Sequence, residues 1–259
     1  MRFVRLALGG AVAHYRLSDS AKDSAERWSD APWLPGAKGT GEMVTFTREQ
    51  VLSPVVPPKV LCVGRNYAAH AKELGNEVPK EPLLFLKPSS SVIGPYGTVL
   101  LPPQTQKVEH EAELGVVIGK RATRISEADA LAHVFGYTVG GDITARDLQR
   151  SDGQWSRAKG FDTFCPLGPH IETELDPANL EVSCTVDGKE RQRGRTSDMV
   201  FSVPKLIAYM SHAMTLEPGD VLLTGTPEGV GPLAHGNALR IAIEGIGALE
   251  LSVATLSPE

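Results

Sequence analysis

Three acidic residues carry most of the chemistry this sequence offers. Glu111 and Glu113 lie in His110-Glu-Ala-Glu-Leu-Gly-Val-Val-Ile-Gly119, and Asp142 closes the apolar stretch Tyr137-Thr-Val-Gly-Gly-Asp142. On a strand, side chains alternate between faces, so Glu111 and Glu113 point one way and Ala112, Leu114, Val116 and Ile118 the other. On a helix the glutamates would lie about 200° apart, and the β-branched run Val116 to Ile118 favours the strand. Carboxylates crowded beside a buried sheet repel one another and resist desolvation, and a divalent cation relieves both. Three carboxylates completed by water suit Mg2+ or Mn2+ better than Zn2+. The competing reading is a half-exposed strand whose glutamates face water.

Other groups could work beside such a cation. His70 and Glu73 are three residues apart on a short helix expected over residues 67–74, with Asn66 as its cap and Gly75 closing it in the left-handed conformation. A carboxylate beside an imidazole fixes its tautomer and helps it take a proton, although such a pair is also an ordinary solvated contact. Lys159 stands among Trp155, Gly160, Phe161 and Phe164, where it could meet a developing negative charge. Lys87, at the end of the strand Leu83 to Lys87, reads as a surface lysine able to steer an anion. The loop Gly225-Thr-Pro-Glu-Gly-Val-Gly-Pro232 offers the Gly225 amide and the Thr226 hydroxyl to a carboxylate. It lacks the lysine and glycine spacing of a phosphate or dinucleotide loop.

The elements that must position these groups are mostly strands. The 259 residues suffice for one large domain, and 26 glycines and 19 prolines spread along the chain imply many turns rather than a disordered tract. Residues 1–58 read as a small N-terminal unit. It has strands Arg2 to Leu8 and Val12 to Leu17 about a Gly9-Gly10 turn, a polar turn-rich stretch from Ser18 to Gly41, and a stiff boundary at Ser53-Pro-Val-Val-Pro-Pro58. The start also imitates a short signal peptide, but Arg5 interrupts the apolar run. Residues 59–259 form the catalytic unit, with helices over 126–133 and 204–214 and a hairpin about Asp187-Gly188. Residues 76–82 form a loop that could cover a site. The net charge of -5 gives no electrostatic reason for a nucleic-acid or anionic-membrane partner. Cys62, Cys165 and Cys184, odd in number and without C-x-x-C spacing, read as reduced, buried residues of a cytoplasmic protein.

Six segments in order, Val63-Gly-Arg-Asn-Tyr-Ala-Ala-His70, Phe85-Leu-Lys-Pro-Ser89, His110-Glu-Ala-Glu-Leu-Gly115, Asp142-Ile-Thr-Ala-Arg-Asp147, Ala158-Lys-Gly-Phe-Asp162 and Thr224-Gly-Thr-Pro-Glu-Gly-Val-Gly231, resemble the fumarylacetoacetate hydrolase family. The resemblance runs from about Lys59 to the C-terminus. It implies an α+β, strand-rich fold, a mixed β-sandwich roll, usually as a homodimer. It also implies Mg2+ or Mn2+ on Glu111, Glu113 and Asp142, a water-activating dyad of His70 and Glu73, and Lys159 beside the reacting carbonyl. Arg146, Gln149 and Thr226 fall where substrate oxygens are held. The substrate implied is a small anionic 2-oxo acid. On sequence alone, hydrolysis of a C–C bond in an acylpyruvate ranks first. Isomerisation, tautomerisation or decarboxylation of 2-oxo dicarboxylic acids such as 5-carboxymethyl-2-hydroxymuconate or oxaloacetate ranks second. A metal-dependent binder of dicarboxylates without turnover is the reading from another class.

Overall fold

The strand Ala112–Ile118 is buried along its whole length, as β-branched residues between two apolar layers require. The computed structural model describes residues 1–21 and 23–256. Ala112, Leu114, Val116 and Ile118 enter the largest hydrophobic cluster. On the opposite face Val117 packs with Val60, Cys62 and Leu223 in a second cluster. The acidic face is therefore interior, against the competing reading of a half-exposed strand, and Glu113 is buried within it.

Ala112–Ile118 is central in a twelve-stranded sheet. On one side it pairs antiparallel with Val134–Gly141, then Cys165–Glu172, Arg2–Leu8, Ala11–Leu17, Ser24–Trp28 and Gly39–Thr45. On the other it pairs with Val221–Leu223, then Val60–Gly64 and the edge strand Leu83–Lys87. Val221–Leu223 and Val60–Gly64 run parallel, so the sheet is mixed. A five-stranded sheet of Lys189–Arg195, Glu181–Val186, Ala238–Ile243, Gly247–Thr255 and Thr98–Leu101 packs across it. Val182, Cys184, Ile241 and Leu249 share the cluster of Leu114 and Val139. A three-stranded sheet places Val108–His110 between Thr144–Ala145 and Gly231–Pro232. Helices are few and short, the longest described being Val203–Ala213, capped by Ser202 with Pro204 in its first turn. The strand-rich, mixed α+β architecture expected from the sequence is the one observed.

The N-terminal hairpin forms about Gly9 and Gly10, both at positive φ as a two-residue turn needs. Its first strand continues the main sheet by pairing Arg2 with Glu172, while Val4, Leu6, Tyr15 and Ala25 make a small core of their own. Two local expectations are corrected. The stretch read as turns from Ser18 to Gly41 contains the strand Ser24–Trp28, whose neighbour begins at Gly39, because pairing on the hairpin's open edge buries Ala25. The helix expected over 126–133 is only a 3-10 turn, Ala130–His133, since the chain enters a strand at Val134 before a second turn can form. All three cysteines are buried and unpaired, and no described helix is long and apolar enough to cross a membrane.

Two half-buried histidines make this end of the sheet acid-sensitive. Burial pushes His14, edge-on to Trp33 at 5.2 Å, from 6.5 down to about 4. Burial, then the nearby Arg2, does the same to His170. In both, the folded state holds fewer protons than the unfolded chain between these limits. Their contribution is complete above pH 6.5 and lost as the pH falls towards 4. Tm is therefore expected to fall with pH through that window, and more shallowly in a His14→Phe/His170→Phe double variant. An unchanged slope in that variant would refute the assignment.

Candidate metal centre and active site

The three acids are brought together by one local irregularity. Val108–His110 and Ala112–Ile118 belong to different sheets, and Glu111 is the residue between them. Asp142 follows the last residue of Val134–Gly141, and its amide donates to the Glu111 carbonyl at 3.0 Å. Glu113 lies opposite Gly140 in the ladder. One carboxylate oxygen from each of Glu111, Glu113 and Asp142 lies within 4.8 Å of the other two, and all three side chains are buried.

Basic groups surround this cluster unevenly. Lys159 Nζ donates to Glu111 Oε2 at 2.8 Å and Asp142 Oδ2 at 2.5 Å. Lys87 Nζ reaches Asp142 Oδ1 at 2.6 Å, and Arg146 Nη2 reaches Glu111 Oε1 at 2.5 Å. Burial alone would raise the pKa of Glu111, but Lys159 and Arg146 outweigh it and hold this carboxyl below its usual range. Burial alone would lower Lys159, but Asp142 and Glu111 keep it above the ordinary lysine value. Glu113 has no basic partner among the described residues; its Oε2 accepts only the Gly225 amide, at 2.7 Å. Burial, then Asp142 and Glu111, push its pKa well above the carboxylate norm. Three buried oxygen donors, one of them without a compensating cation, fit a hard divalent ion.

Several expectations change here. Lys87 is not at the surface; it is 1% exposed and spans from the edge strand to Asp142. Lys87→Met leaves Asp142 Oδ1 without its ammonium partner while Lys159 still holds Oδ2, so the cost falls below that of a wholly unpaired buried charge, about 3–5 kcal/mol. The Tm of metal-free protein should drop by about 5 °C, and an unaltered Tm would contradict the pairing. The Gly225 amide, expected to meet a substrate carboxylate, meets that of Glu113. Gly225 is needed there on two counts, because φ is +94° and a Cβ would lie 2.7 Å from that of Asn66. Arg146 is committed to protein acceptors: Nε to Glu109 Oε2 at 2.7 Å, Nη1 to Gln149 Oε1 at 2.6 Å, and Nη2 to Glu111. Asn66 does not cap its helix. Its amide joins Phe201 O, Phe201 N and Thr224 O, tying Ala68–Glu73 to the Gly225 loop.

That helix presents His70, buried, with Nδ1 3.3 Å from Glu73 Oε2. Glu73 Oε1 also accepts the Gly229 amide at 3.0 Å, so the dyad is fixed to the same loop as Glu113. His70, the three acids, Arg146, Gln149, Lys159 and Thr226 line one cavity of about 220 Å3. Asn76, from the loop expected to cover a site, and the aromatic pair Phe85 and Trp155, at 5.2 Å, complete it. The sequence reading missed Glu109, which anchors Arg146, and also Arg65 and Arg150, two further guanidinium groups at this cavity. Strand period could have flagged Lys87, which shares a face with Phe85. Arg65 sits at φ +58°, unusual for a non-glycine residue, and no sequence signal announces it.

A mixed-sheet fold that brings three buried carboxylates together near a histidine–glutamate pair has a donor set able to hold a divalent cation. Residues 59–254 match the family model described as fumarylacetoacetate (FAA) hydrolase C-terminal, and the chain belongs to that family. A human mitochondrial oxaloacetate tautomerase is 49% identical over 211 residues, covering 76% of this chain and 67% of the human one. The crystal structure of 5-carboxymethyl-2-hydroxymuconate delta-isomerase from Mycobacterium smegmatis covers 99% of this chain and 100% of its own, at 42% identity and TM-score 0.91. Fumarylpyruvate hydrolase from Pseudomonas aeruginosa, in complex with Mn2+ and pyruvate, covers 80% and 93% at 39% identity and TM-score 0.73.

Proposed function

We propose that this chain enolises a 2-oxo acid, with Mg2+ or Mn2+ held by Glu111, Glu113 and Asp142, and that its net reaction is tautomerisation or isomerisation of a 2-oxo dicarboxylic acid. The observation that carries this is that the three acids and His70 line one cavity, with Glu73 behind the imidazole at 3.3 Å from Nδ1. The cation supplies Lewis-acid stabilisation of the negative charge that an enolate concentrates on its oxygen. His70 takes a proton from the carbon next to the 2-oxo group and returns it to another atom of the same conjugated system. Glu73 holds the imidazole in the tautomer that can do so. Thr226 and Gln149 hold substrate oxygens; Gln149 Oε1 already accepts from Arg146, which leaves its amide nitrogen to donate. Arg65 and Arg150 line the cavity without a carboxylate partner among the described residues, which supports a second acidic group on the substrate.

The tautomerase and isomerase relatives move this reading ahead of hydrolysis. C–C hydrolysis remains the second reading, favoured by Glu73 standing behind His70 as a water-activating dyad would require, with Lys159 at the oxyanion. A homodimer belongs to the same proposal, supported by the exposed Leu83 and Leu86 on the edge strand. The test is an assay with Mg2+ against 5-carboxymethyl-2-hydroxymuconate, enol-oxaloacetate and acetylpyruvate. The expected result is a change in enol or diene absorbance without fragmentation. Pyruvate and acetate appearing from acetylpyruvate as the fast reaction would replace it with the hydrolytic reading.

A further inference from the structure

Gln192 is the one buried side chain of a strand, Lys189–Arg195, that is otherwise exposed or half-buried. It is 1% exposed, and every polar position on its amide is used. Oε1 accepts from the Ala112 amide at 3.1 Å and lies 3.0 Å from His110 Nδ1. Nε2 donates to Pro227 O at 2.8 Å and lies 2.7 Å from Thr226 Oγ1. The Ala112 amide can only donate and the Pro227 carbonyl can only accept, so the amide has one permitted orientation. It follows that Thr226 Oγ1 accepts from Gln192.

A hydroxyl that accepts from a fixed donor still has one proton to place. Thr226 has no other hydrogen-bond partner among the described residues, and it lines the cavity with the three acids and His70. We propose that Gln192 is a positioning residue that makes Thr226 an obligate donor into the cavity, selecting a carboxylate or carbonyl oxygen of the substrate and disfavouring a donor there. This rests on the proposed reading that Thr226 holds a substrate oxygen. Gln192 itself touches no substrate; it acts from the second sheet through the loop, and its contact with Ala112 ties that setting to the strand carrying Glu113.

The near-isosteric Gln192→Glu replaces the donor with an acceptor, so the Thr226 proton turns to the new carboxylate and the substrate loses its donor. Loss of a contact made equally in ground and transition states raises KM and leaves kcat nearly unchanged. KM for the 2-oxo acid should rise about tenfold, one hydrogen bond to a charged group by the tenfold-per-1.4 kcal/mol scale. Gln192→Met only frees the Thr226 hydroxyl to rotate without capturing its proton, so KM should rise less than in Gln192→Glu, and Tm measured on both reports the fold. Thr226→Val should raise KM as much as Gln192→Glu, and the Thr226→Val/Gln192→Met double variant should be no worse than Thr226→Val alone. KM unchanged in Thr226→Val would remove Thr226 from binding and this inference with it. KM raised in Thr226→Val but unmoved in both Gln192 variants, or fully multiplicative effects in the double variant, would overturn the inference while leaving Thr226 in the site.

Discussion

Glu113→Gln is expected to abolish divalent-cation-dependent turnover, by at least about 10^3-fold, while the protein stays folded. Lewis-acid stabilisation of an enolate is worth several kcal/mol, and each 1.36 kcal/mol is about tenfold in rate. Glu113 is the informative ligand to change because it is the one acid of the three without a base beside it. Glu111 pairs with Lys159 and Arg146, and Asp142 with Lys87 and Lys159, so removing Asp142 would leave Lys87 without a carboxylate and removing Glu111 would take one ion pair each from Lys159 and Arg146. A glutamine at 113 keeps the shape and can still accept from the Gly225 amide. It also removes the repulsion that raises the Glu113 pKa. In metal-free protein Glu113 holds its proton above the usual carboxylate range, so its contribution weakens as the pH rises from the acid side. The variant should therefore be no less stable than the parent at neutral pH, with a flatter pH dependence. Wild-type turnover in Glu113→Gln, with Mg2+ or Mn2+ still required, would remove this residue from the cation site.

His70→Ala should lower kcat by about 10^2 to 10^4-fold, the usual range for removing a positioned general base. Cation affinity should be unchanged, because His70 contributes no ligand to the acid cluster. KM should move little, since the imidazole acts on a proton rather than on the oxygens that anchor the substrate. Glu73→Gln should fall between parent and His70→Ala. A glutamine has one acceptor where the carboxylate has two: with its oxygen on the Gly229 amide, its NH2 faces Nδ1 and favours the tautomer protonated on Nε2, and the charge that steadies the imidazolium is lost. Solvent exchange at the carbon next to the 2-oxo group, followed by deuterium incorporation, reads the proton transfer directly. Undiminished exchange in His70→Ala would mean that another group is the base.

Much of this site could be read from the sequence because its signals are local. The Glu-x-Glu spacing, the apolar run after it and the acid at the end of the next strand give the triad; His70 and Glu73 are one helical turn apart. What could not be read is how charge is distributed around them. Lys87 looks like a strand-end surface residue, and only sheet order shows that Val60–Gly64 and Leu83–Lys87 follow Val221–Leu223 beside the acidic strand. Alternation gave Ala112–Ile118 an apolar and an acidic face, and both are interior because the five-stranded sheet covers one while Val55 and Trp33, distant in sequence, pack with Val117 on the other. The Gly225 amide and Arg146 were legible as anion binders. Which anion they bind, Glu113 and the Glu109–Glu111 pair, depends on tertiary approach. At the N-terminus the Gly9-Gly10 hairpin is dictated by its turn, whereas the strand Ser24–Trp28 forms only because an open sheet edge receives it.

The central claim is that Glu111, Glu113 and Asp142 hold one hard divalent cation per chain. Anomalous diffraction at the manganese edge from crystals grown with millimolar Mn2+ tests it most directly. The expected result is a single strong peak about 2.0–2.2 Å from one oxygen of each carboxylate, as six-coordinate oxygen sites require, lost in Glu113→Gln. Density showing Glu111 and Asp142 still joined to Lys159 and Lys87, with no anomalous peak among the three carboxylates, would contradict it.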